Sequence, residues 1–572
     1  MNMPSGRQNV TPESGAPSFL DDLATGGIDW DLYLPFPTQN PAEKKAEEDF
    51  AEEVAEFVRS NVDPDEVDRT GALPKGLVDD LRARGYFRLR NGAGLGGFEL
   101  SHHGAFRVFE RAAAWSVPVG QLLAIQNAVG AAALLAALPP GPLHDFVRGR
   151  VADGVVSAFA GTEPAGANNA WPGTTATPAD DGASYLLHGE KLYTGNGDIA
   201  ELLALTVTLP GAGDDRRVGV AFVDTGSPGF RVTSHLEFMG SKGLPNAALR
   251  LDGVRIPREH VLAGEPGQPR FPASIGPIAL LSAVHFNAAP ALAIARQCVR
   301  WSREFLARRA VNGRGLAGYE QIQRLATASL ADLYAIDTVV RWCLLGGGPS
   351  KRWFELSLAK NICTTVAWRI VDRTVSLLGG EGLETAPGKR RRGATAAPVE
   401  RLFRDARGLR VSGNVDFLLD IQAGRLVMAR FFAGPHDPLD RPEPQPGGLS
   451  PANHRHLRAA SAGIGRLART CSELAARYPD PAALDERQHI LGLIGKITAE
   501  LLTMCAVLSR AAHGDQDLAH AHCAGARDRL ESLWRLLDDR DSADEPDFAG
   551  ISDSWLAGRS PSFLTDDQGD RS

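Results

Sequence analysis

The hydrophobic period of this 572-residue chain changes twice, and that double change limits the folds open to it. In EEDFAEEVAEFVRSNV, Phe50, Val54, Phe57 and Val58 recur at helical spacing with acids on the opposite face. From residue 151 the texture becomes short runs of strand character, VVSAF, SYLLHG, LLALTVTL, VGVAFVDT and AALRLDGVRI, bounded by Gly, Pro and Asp turns. After residue 264 long helical patterns return, over 288–309 and in EQIQRLATASLADLYAIDTVVRWCLL, FELSLAKNICTTVAWRIVDRTVSLL and DFLLDIQAGRLVMARFF, enough for a four-helix bundle. The fold class is therefore mainly α with a central β domain, an α+β protein of several domains.

The boundaries follow from these changes. A flexible lead is expected over 1–40, an N-terminal helical domain over 41–150, a middle β domain, barrel-like, over 151–264, and the bundle over 265–437. The proline-rich DPLDRPEPQPGGLSP marks a linker at 438–450. An extra helical domain is expected over 451–540, where Ile490, Ile494, Ile497, Leu501, Met504 and Leu508 line one face, and a mobile acidic tail over 541–572. The first twenty residues lack a basic start followed by an apolar stretch, so no secretory signal is expected there. The uncharged run 112–141 is interrupted by Pro118, Gln121, Gln126 and Asn127, which points to a buried helix and not to a transmembrane segment.

A net charge of −8 argues against binding to a phosphate backbone, so no nucleic-acid partner is expected. The six cysteines stand singly inside apolar patterns, which favours packing over disulfides or a metal site; no metal is expected, and a reducing cytoplasmic location fits.

Three segments carry more chemistry: AFAGTEPAGANNA at 158–170, YLLHGEKLYTGNGDIAELLAL at 185–205, and EFMGSKGLPNAALRLDGVRIPREHVLAGEPG at 237–267. Together they resemble the middle domain of acyl-CoA dehydrogenases, and the resemblance runs on through AKNICTTVAWRIVDRTVSLLGGEGL and PVERLFRDAR. GLIGKITAELLTMCAVLSRAA is similar to the extra C-terminal helical domain of the very-long-chain type. The resemblance implies FAD as cofactor, an acyl thioester (acyl-CoA or a chain on an acyl carrier protein) as substrate, an electron-transfer flavoprotein as acceptor, and a homodimer.

It also implies a set of cofactor contacts: Gly161, Thr162, Asn168, Tyr193, Gly195, Arg309, Gly379 and Gly380. Thr162 sits on a turn fixed by Pro164 and offers a hydroxyl and nearby N–H groups to an isoalloxazine, although such a tripeptide also serves structure alone. Tyr193 replaces the family's common tryptophan and can stack on the ring, or be a core aromatic. The Arg309 guanidinium suits a pyrophosphate. Gly379 and Gly380 let the backbone approach a ligand held by the partner subunit, or simply end a helix. Asn312, Ser376, Val415 and Phe417 depart from the family's Phe, Gln, Thr and Gln, and Asn168 from its Ser. The insertion carrying Lys389–Arg392 reads as a solvated loop or as a contact for a nucleotide or an acidic carrier protein.

The family's catalytic glutamate follows Arg-Asp-Ala-Arg. In RLFRDARGLRVSGNVDF its position falls on Gly413, or on Ser412 with one residue deleted, and neither is a base. The alternative family position lies in LLSAVHFNAAPAL, which has no carboxylate and carries Val284 in place of a common Arg. His285 and Asp416 are the substitutes to weigh, against a core histidine and a helix-capping acid. Loss of a positioned base costs about 10²–10⁴ in rate. Three functions therefore stay open: an acyl-thioester flavoenzyme with an atypical, base-poor site; a flavoenzyme of another reaction, oxygenation or reduction; and a non-catalytic homologue.

Overall fold

The first helix lies where the sequence reading expects a flexible lead. The computed structural model describes residues 17–211, 215–347, 351–434, 447–539 and 546–559. Residues 1–16 lie outside them, but Phe19–Thr25 (α1) starts in a capping box made by Ser18 and Asp21. Phe19, Leu20 and Leu23 are buried, and the Phe19 N–H donates to Glu355 Oε1 at 2.7 Å. Tyr33 stacks on Trp342 with ring centroids 5.3 Å apart and its carbonyl accepts from Ser509. The expectation for 17–40 is thus corrected: this segment straps the bundle to the C-terminal helices. Its apolar residues are too few to show a period, yet each finds a core partner.

Helices Pro41–Asn61 (α2), Pro64–Thr70 (α3), Leu77–Ala83 (α4), His102–Trp115 (α5), Val117–Ala124 (α6) and Pro142–Ala152 (α7) follow. Between α6 and α7 the chain forms a π turn, Ile125–Val129, and a 3-10 stretch, Ala131–Ala137. The polar residues of this apolar run are joints. Asn127 accepts from Leu89 N and donates to Tyr86 O, each at 2.9 Å, and Gln126 takes Ser157 N at 2.8 Å and gives to Val155 O at 2.8 Å. Three helical stretches, Val117–Ala137, Ala273–Arg308 and Gln488–Ala511, are long and apolar enough to cross a membrane by length and composition; 72%, 72% and 78% of their apolar windows are buried in this fold.

The middle sheet comprises Ser157–Ala160 (β1), Thr175–Pro178 (β2), Ser184–Gly195 (β3), Leu202–Leu209 (β4), Arg217–Asp224 (β5), Phe230–His235 (β6), Asn246–Pro257 (β7) and Val261–Ala263 (β8). Its order is β6-β7-β3-β2-β4-β5-β8, with β1 paired in parallel to β4. Every residue of β4 is buried, as its continuous apolar run requires. β2, β6 and β8 are absent from the sequence reading because β2 and β8 are short and β6, largely exposed, has no apolar alternation.

The bundle begins earlier than the helical pattern from 288 suggests. Gly276–Ala283 (α8) continues through a π turn, Val284–Ala288, into Ala289–Arg308 (α9). Pro290 has no N–H to give back to the preceding turn, and a local widening is the usual response. Glu320–Leu345 (α10), Trp353–Leu378 (α11), Gly380–Leu383 (α12), Ala386–Arg391 (α13), Val399–Leu409 (α14) and Asp416–Phe432 (α15) complete it.

Pro451–Arg477 (α16), Pro481–Asp485 (α17), Gln488–Ala511 (α18) and Gln516–Asp538 (α19) dock on α10 and α15. At the α15/α18 crossing a Cβ on Gly424 would lie 2.0 Å from Leu491 O, and one on Gly495 2.0 Å from Asp420 O, so only glycine permits this approach. On α10, buried Asp332 holds Arg369 and Arg373 and lies 3.3 Å from His522, while Asp337 holds Arg296, Arg341 and Arg510. The expected acidic tail is corrected within its described part: Phe548–Leu556 (α20) is helical, with no buried residue. The linker's 438–446 and the tail's 541–545 and 560–572 lie outside the described residues.

Candidate functional site

The Thr-Glu-Pro turn leaves β1 and is fixed by a buried ion pair. Glu163 Oε1 meets Lys191 Nζ of β3 at 2.6 Å, with the lysine side chain wholly buried. The carboxylate also accepts from Gly173 N at 2.6 Å, Thr174 N at 3.0 Å and Thr174 Oγ1 at 2.7 Å, while the ammonium donates to Thr206 O at 2.7 Å and Thr206 Oγ1 at 2.9 Å. Burial pushes the Glu163 carboxyl up, but Lys191 and these donors outweigh it and hold it below its ordinary range. Leu192 N donates to Thr162 O at 2.9 Å, so the Thr162 turn is tied directly to the strand that carries Tyr193.

Between Lys191 and Thr194 the β3/β7 pairing slips, and Tyr193 takes φ +55°. This bulge turns its ring outward, 58% exposed, with Phe238 6.0 Å away. Thus Tyr193 is not a core aromatic. A Cβ on Gly195 would lie 2.6 Å from Ile125 Cδ1, the movable end of a side chain, so glycine eases the packing there. Beside it, buried Thr194 Oγ1, Asn196 Oδ1 and Asn246 Oδ1 have no hydrogen-bond partner among the described residues. Gly161 and Asn168 lie half-buried on the same β1–β2 connection as Thr162.

Arg309 lies at the other end of the bundle. It caps α9, is exposed, and opens a small hairpin, Ala310–Val311 with Arg314–Gly315, in which Asn312 turns at φ +52°. Gly379 (φ +57°) and Gly380 are exposed between α11 and α12, and a Cβ on either would meet nothing within 4 Å. Their openness is thus not demanded by this chain's own packing. Of the insertion's basic residues, Lys389 is buried and donates to Ala397 O, Arg390 pairs with Asp65 and Arg392 with Glu384. Arg391 alone of the four makes neither an ion pair nor a side-chain hydrogen bond among the described residues, so the loop is largely self-satisfied.

The Arg-Asp-Ala-Arg motif joins three domains. Arg404 pairs with Asp68 of α3 at 2.8 Å and donates to Met239 O of the middle domain at 2.9 Å. Buried Asp405 accepts from Ser241 N at 2.6 Å, and burial raises its carboxyl to about 6. Four residues beyond Gly408 the hinge begins. Ser412 Oγ donates to Asn287 Oδ1 of the π turn, and Gly413 stands at φ +64° with room for no Cβ, which would be 2.9 Å from Asn287 Nδ2. Lys360 of α11 donates to Asn414 O at 2.8 Å, and burial brings its ammonium down to about 7.

Neither substitute base fits that role. His285 is wholly enclosed, its ring nitrogens facing Leu281 O at 2.7 Å and His102 O at 3.1 Å; burial pushes its imidazole down to about 4. It is the core histidine of the two readings. Asp416 opens α15, pairs with Arg410 and accepts from Phe417 N at 2.8 Å; burial acts against these partners, which still hold its carboxyl below the ordinary range. The sequence reading missed Glu163–Lys191 and Asn287. The first pair was legible as two opposite charges inside otherwise apolar strand motifs; Asn287 had no signal beyond its place one turn from Pro290.

The comparisons with known proteins agree in all three domains. The chain matches the acyl-CoA dehydrogenase N-terminal domain over 44–138, the middle domain over 158–254 and the C-terminal domain over 286–426. It is 30% identical to the probable acyl-CoA dehydrogenase FadE10 of Mycobacterium tuberculosis over 92% of this chain and 87% of that one. The human mitochondrial very long-chain specific acyl-CoA dehydrogenase is 26% identical over 70% of this chain and 61% of its own. Among solved structures, an acyl-CoA dehydrogenase of Bacillus anthracis complexed with FAD superposes at TM-score 0.72 over 94% of this chain and 95% of that one, at 16% identity. With three domains in the family's order and a relative at that identity along nearly its whole length, this chain belongs to the acyl-CoA dehydrogenase family.

Proposed function

We propose that the protein is an FAD-dependent oxidoreductase acting on an acyl thioester, with a base-poor site at the hinge. The observation that carries the reading is the turn locked by Glu163 and Lys191, which holds Thr162 beside an outward Tyr193. The residues fit the cofactor: an exposed aromatic ring and the Thr162 hydroxyl stand on adjoining, tied segments, unpartnered buried oxygens of Thr194, Asn196 and Asn246 belong to the same strand ends, and open glycines stand at 379 and 380. FAD, when bound, supplies the acceptor for a hydride equivalent. Thr162 and Tyr193 orient the isoalloxazine, and Gly161, Asn168 and Gly195 shape its bed. Arg309 pairs with the pyrophosphate across a homodimer interface built by the bundle, and helices α16, α18 and α19 cover the face where a further dimer would pack. An electron-transfer flavoprotein is the acceptor, an acyl carrier protein or CoA the carrier, and the cytoplasm the location.

The hinge favours one second reading. Ser412 and Asn287 hydrogen-bond each other at the hinge onto which the resemblance aligns the family's carboxylate, and neither of them is a base. A flavoenzyme for another reaction, or a binding homologue, has the same arrangement. The visible spectrum of purified protein decides: a yellow protein bleached by a saturated acyl-CoA supports the first reading, bleaching only by a nicotinamide donor the second, and a colourless stable protein refutes both enzyme readings. Arg309→Ala is expected to lower flavin affinity about tenfold or more, since charge-assisted hydrogen bonds are about 1.5–3 kcal/mol each. Unchanged flavin content after dialysis would remove Arg309 from the site.

A further inference from the structure

A cleft of about 310 Å³ lies between α5, α9 and α10, away from the hinge and the Thr162 turn. Five arginines line it: Arg107 and Arg111 from α5, Arg296 and Arg300 from α9, and Arg341 from α10. Two carboxylates reach them at hydrogen-bond distance. Glu110 takes Arg107 and, at 2.6 Å, Arg296; Asp337 takes Arg341 at 2.9 Å and also Arg510 at 2.8 Å from the C-terminal domain. Two more lie farther out, Glu52 at 3.9 Å from Arg111 and Glu304 at 3.7 Å from Arg300. Glu52 is itself held by Arg59 at 2.6 Å. Arginine charge therefore exceeds carboxylate charge on every count.

The inner arginines are pre-aimed by their buried partners, and the outer two are free to close on a ligand. Arg107 is only 11% exposed along its side chain, whereas Arg111 and Arg300 are 47% and 53% exposed. Such a gradient, fixed forks inside and mobile forks at the mouth, suits an anion with several oxygens. Buried His103 lies in the same field: its Nδ1 has no hydrogen-bond partner among the described residues, and burial with Arg341 and Arg107 pushes its imidazole down to about 4. The rest of the lining is Ala114, Ala293 and Gln297. No aromatic ring stacks a base there and no long apolar chain receives an acyl tail, so the anion itself is what the cleft recognises.

We propose that this cleft binds a phosphate-class polyanion, a diphosphate or the phosphate end of a nucleotide-bearing molecule. Its seat across α5 of the N-terminal domain, α9 and α10 of the bundle, and Arg510 of the C-terminal domain through Asp337, means that occupancy would tighten the junction of those three domains. The proposal does not rest on the reading of the flavin site.

The test uses the full chain loaded with FAD and titrated calorimetrically with inorganic pyrophosphate. A single saturable site is expected, weakening steeply with added salt and about tenfold or more in Arg111→Gln/Arg300→Gln. Arg390→Gln/Arg391→Gln, which leaves the cleft intact, should bind as the parent does. Free CoA that displaces pyrophosphate assigns the phosphate to a nucleotide carrier; CoA that does not assigns it to the free anion. The two outer arginines are half-exposed, so the variant should keep the parent's circular dichroism; Arg300→Gln alone provides a milder check. No saturable binding by the parent, equal binding by the double variant, or salt-sensitive retention of an acidic protein with no affinity for pyrophosphate would each overturn the proposal.

Discussion

The turn at Thr162 and the hinge at Ser412–Asn414 are both polar loops held by a buried lysine, yet they use it oppositely. Lys191 meets a full carboxylate and two oxygens of Thr206, so its charge is neutralised and the turn is free to present Thr162 and Tyr193 outward. Lys360 meets only the Asn414 carbonyl, with Asp416 and Asp420 raising its affinity for a proton from farther away, and its ammonium is brought down to about 7. Ser412 in turn ties the hinge to Asn287 of the π turn. The difference teaches that a hinge with no carboxylate among Ser412, Gly413 and Asn414 is still held in place. Order there comes from neutral hydrogen bonds, and order at the turn from compensated charge.

Removing the lysines should separate the two regions most sharply. Lys191→Met leaves Glu163 buried and uncompensated, which costs about 3–5 kcal/mol and should abolish flavin retention. Lys360→Met leaves one carbonyl unpaired, about 1–3 kcal/mol. Urea unfolding of both variants checks the ranking; equal losses would break the comparison.

Asp405 lies between the regions and gives the next effect. Burial raises its folded carboxyl to about 6, against about 3.9 unfolded. A carboxyl raised on folding contributes stability that is complete below the unfolded value and lost as pH rises through the folded one. Asp405→Asn keeps an acceptor for Ser241 N and has no such loss, so its stability relative to the parent should rise by up to ~3 kcal/mol from pH 4 to pH 7. A pH-independent difference between the two proteins would show that Asp405 is not held up.

Smaller again is the cost of filling the hinge. Gly413→Ala meets both a φ of +64° and Asn287 Nδ2 at 2.9 Å, for an expected loss of ~1–2 kcal/mol. Gly195→Ala meets only Ile125 Cδ1, the far end of a flexible chain, and should cost less. The same geometry shapes any attempt to restore the base: Gly413→Glu needs Asn287→Ala beside it before a carboxylate can reach the pocket. If that pair speeds bleaching by a saturated acyl-CoA, the site retains the geometry for α,β-dehydrogenation.

Much of this was legible in the sequence. The switches of hydrophobic period mark the sheet between helical regions, and the Thr-Glu-Pro and Tyr-Thr-Gly-Asn-Gly turns lead to residues that the fold ties together through Leu192 N and Thr162 O. What was not legible depended on distant partners. Seven residues of α1 carry too little period to announce a strap, and Phe19 finds its partners in Phe354 and Glu355 more than 300 residues later. Gly424 and Gly495 read as helix weakeners until the α15/α18 crossing shows each facing a backbone carbonyl. The four-basic insertion read as a solvated loop or an anion contact because sequence cannot show Ala397, Asp65 and Glu384 waiting for it.

The smallest effect on rate is expected from the residue that chemistry made most attractive. Asp416 is the carboxylate nearest in sequence to Ser412 and Gly413, and as a general base its loss would cost about 10²–10⁴ in rate. Its oxygens are already committed, one to Arg410 and the other to Phe417 N, and those partners stabilise the charged form. A carboxylate held that way is a poor proton acceptor near neutrality, because taking the proton would give up both partners. Asp416→Asn keeps an oxygen for Phe417 N and weakens a partly buried ion pair with Arg410, at a cost of about 1–3 kcal/mol. Flavin bleaching by any acyl thioester that reduces the parent should then change by less than about threefold, with the fold intact by circular dichroism. A fall of two decades or more in Asp416→Asn, with flavin still bound, would place the base one helical turn beyond the family's position and erase the contrast between a charged turn and a neutral hinge.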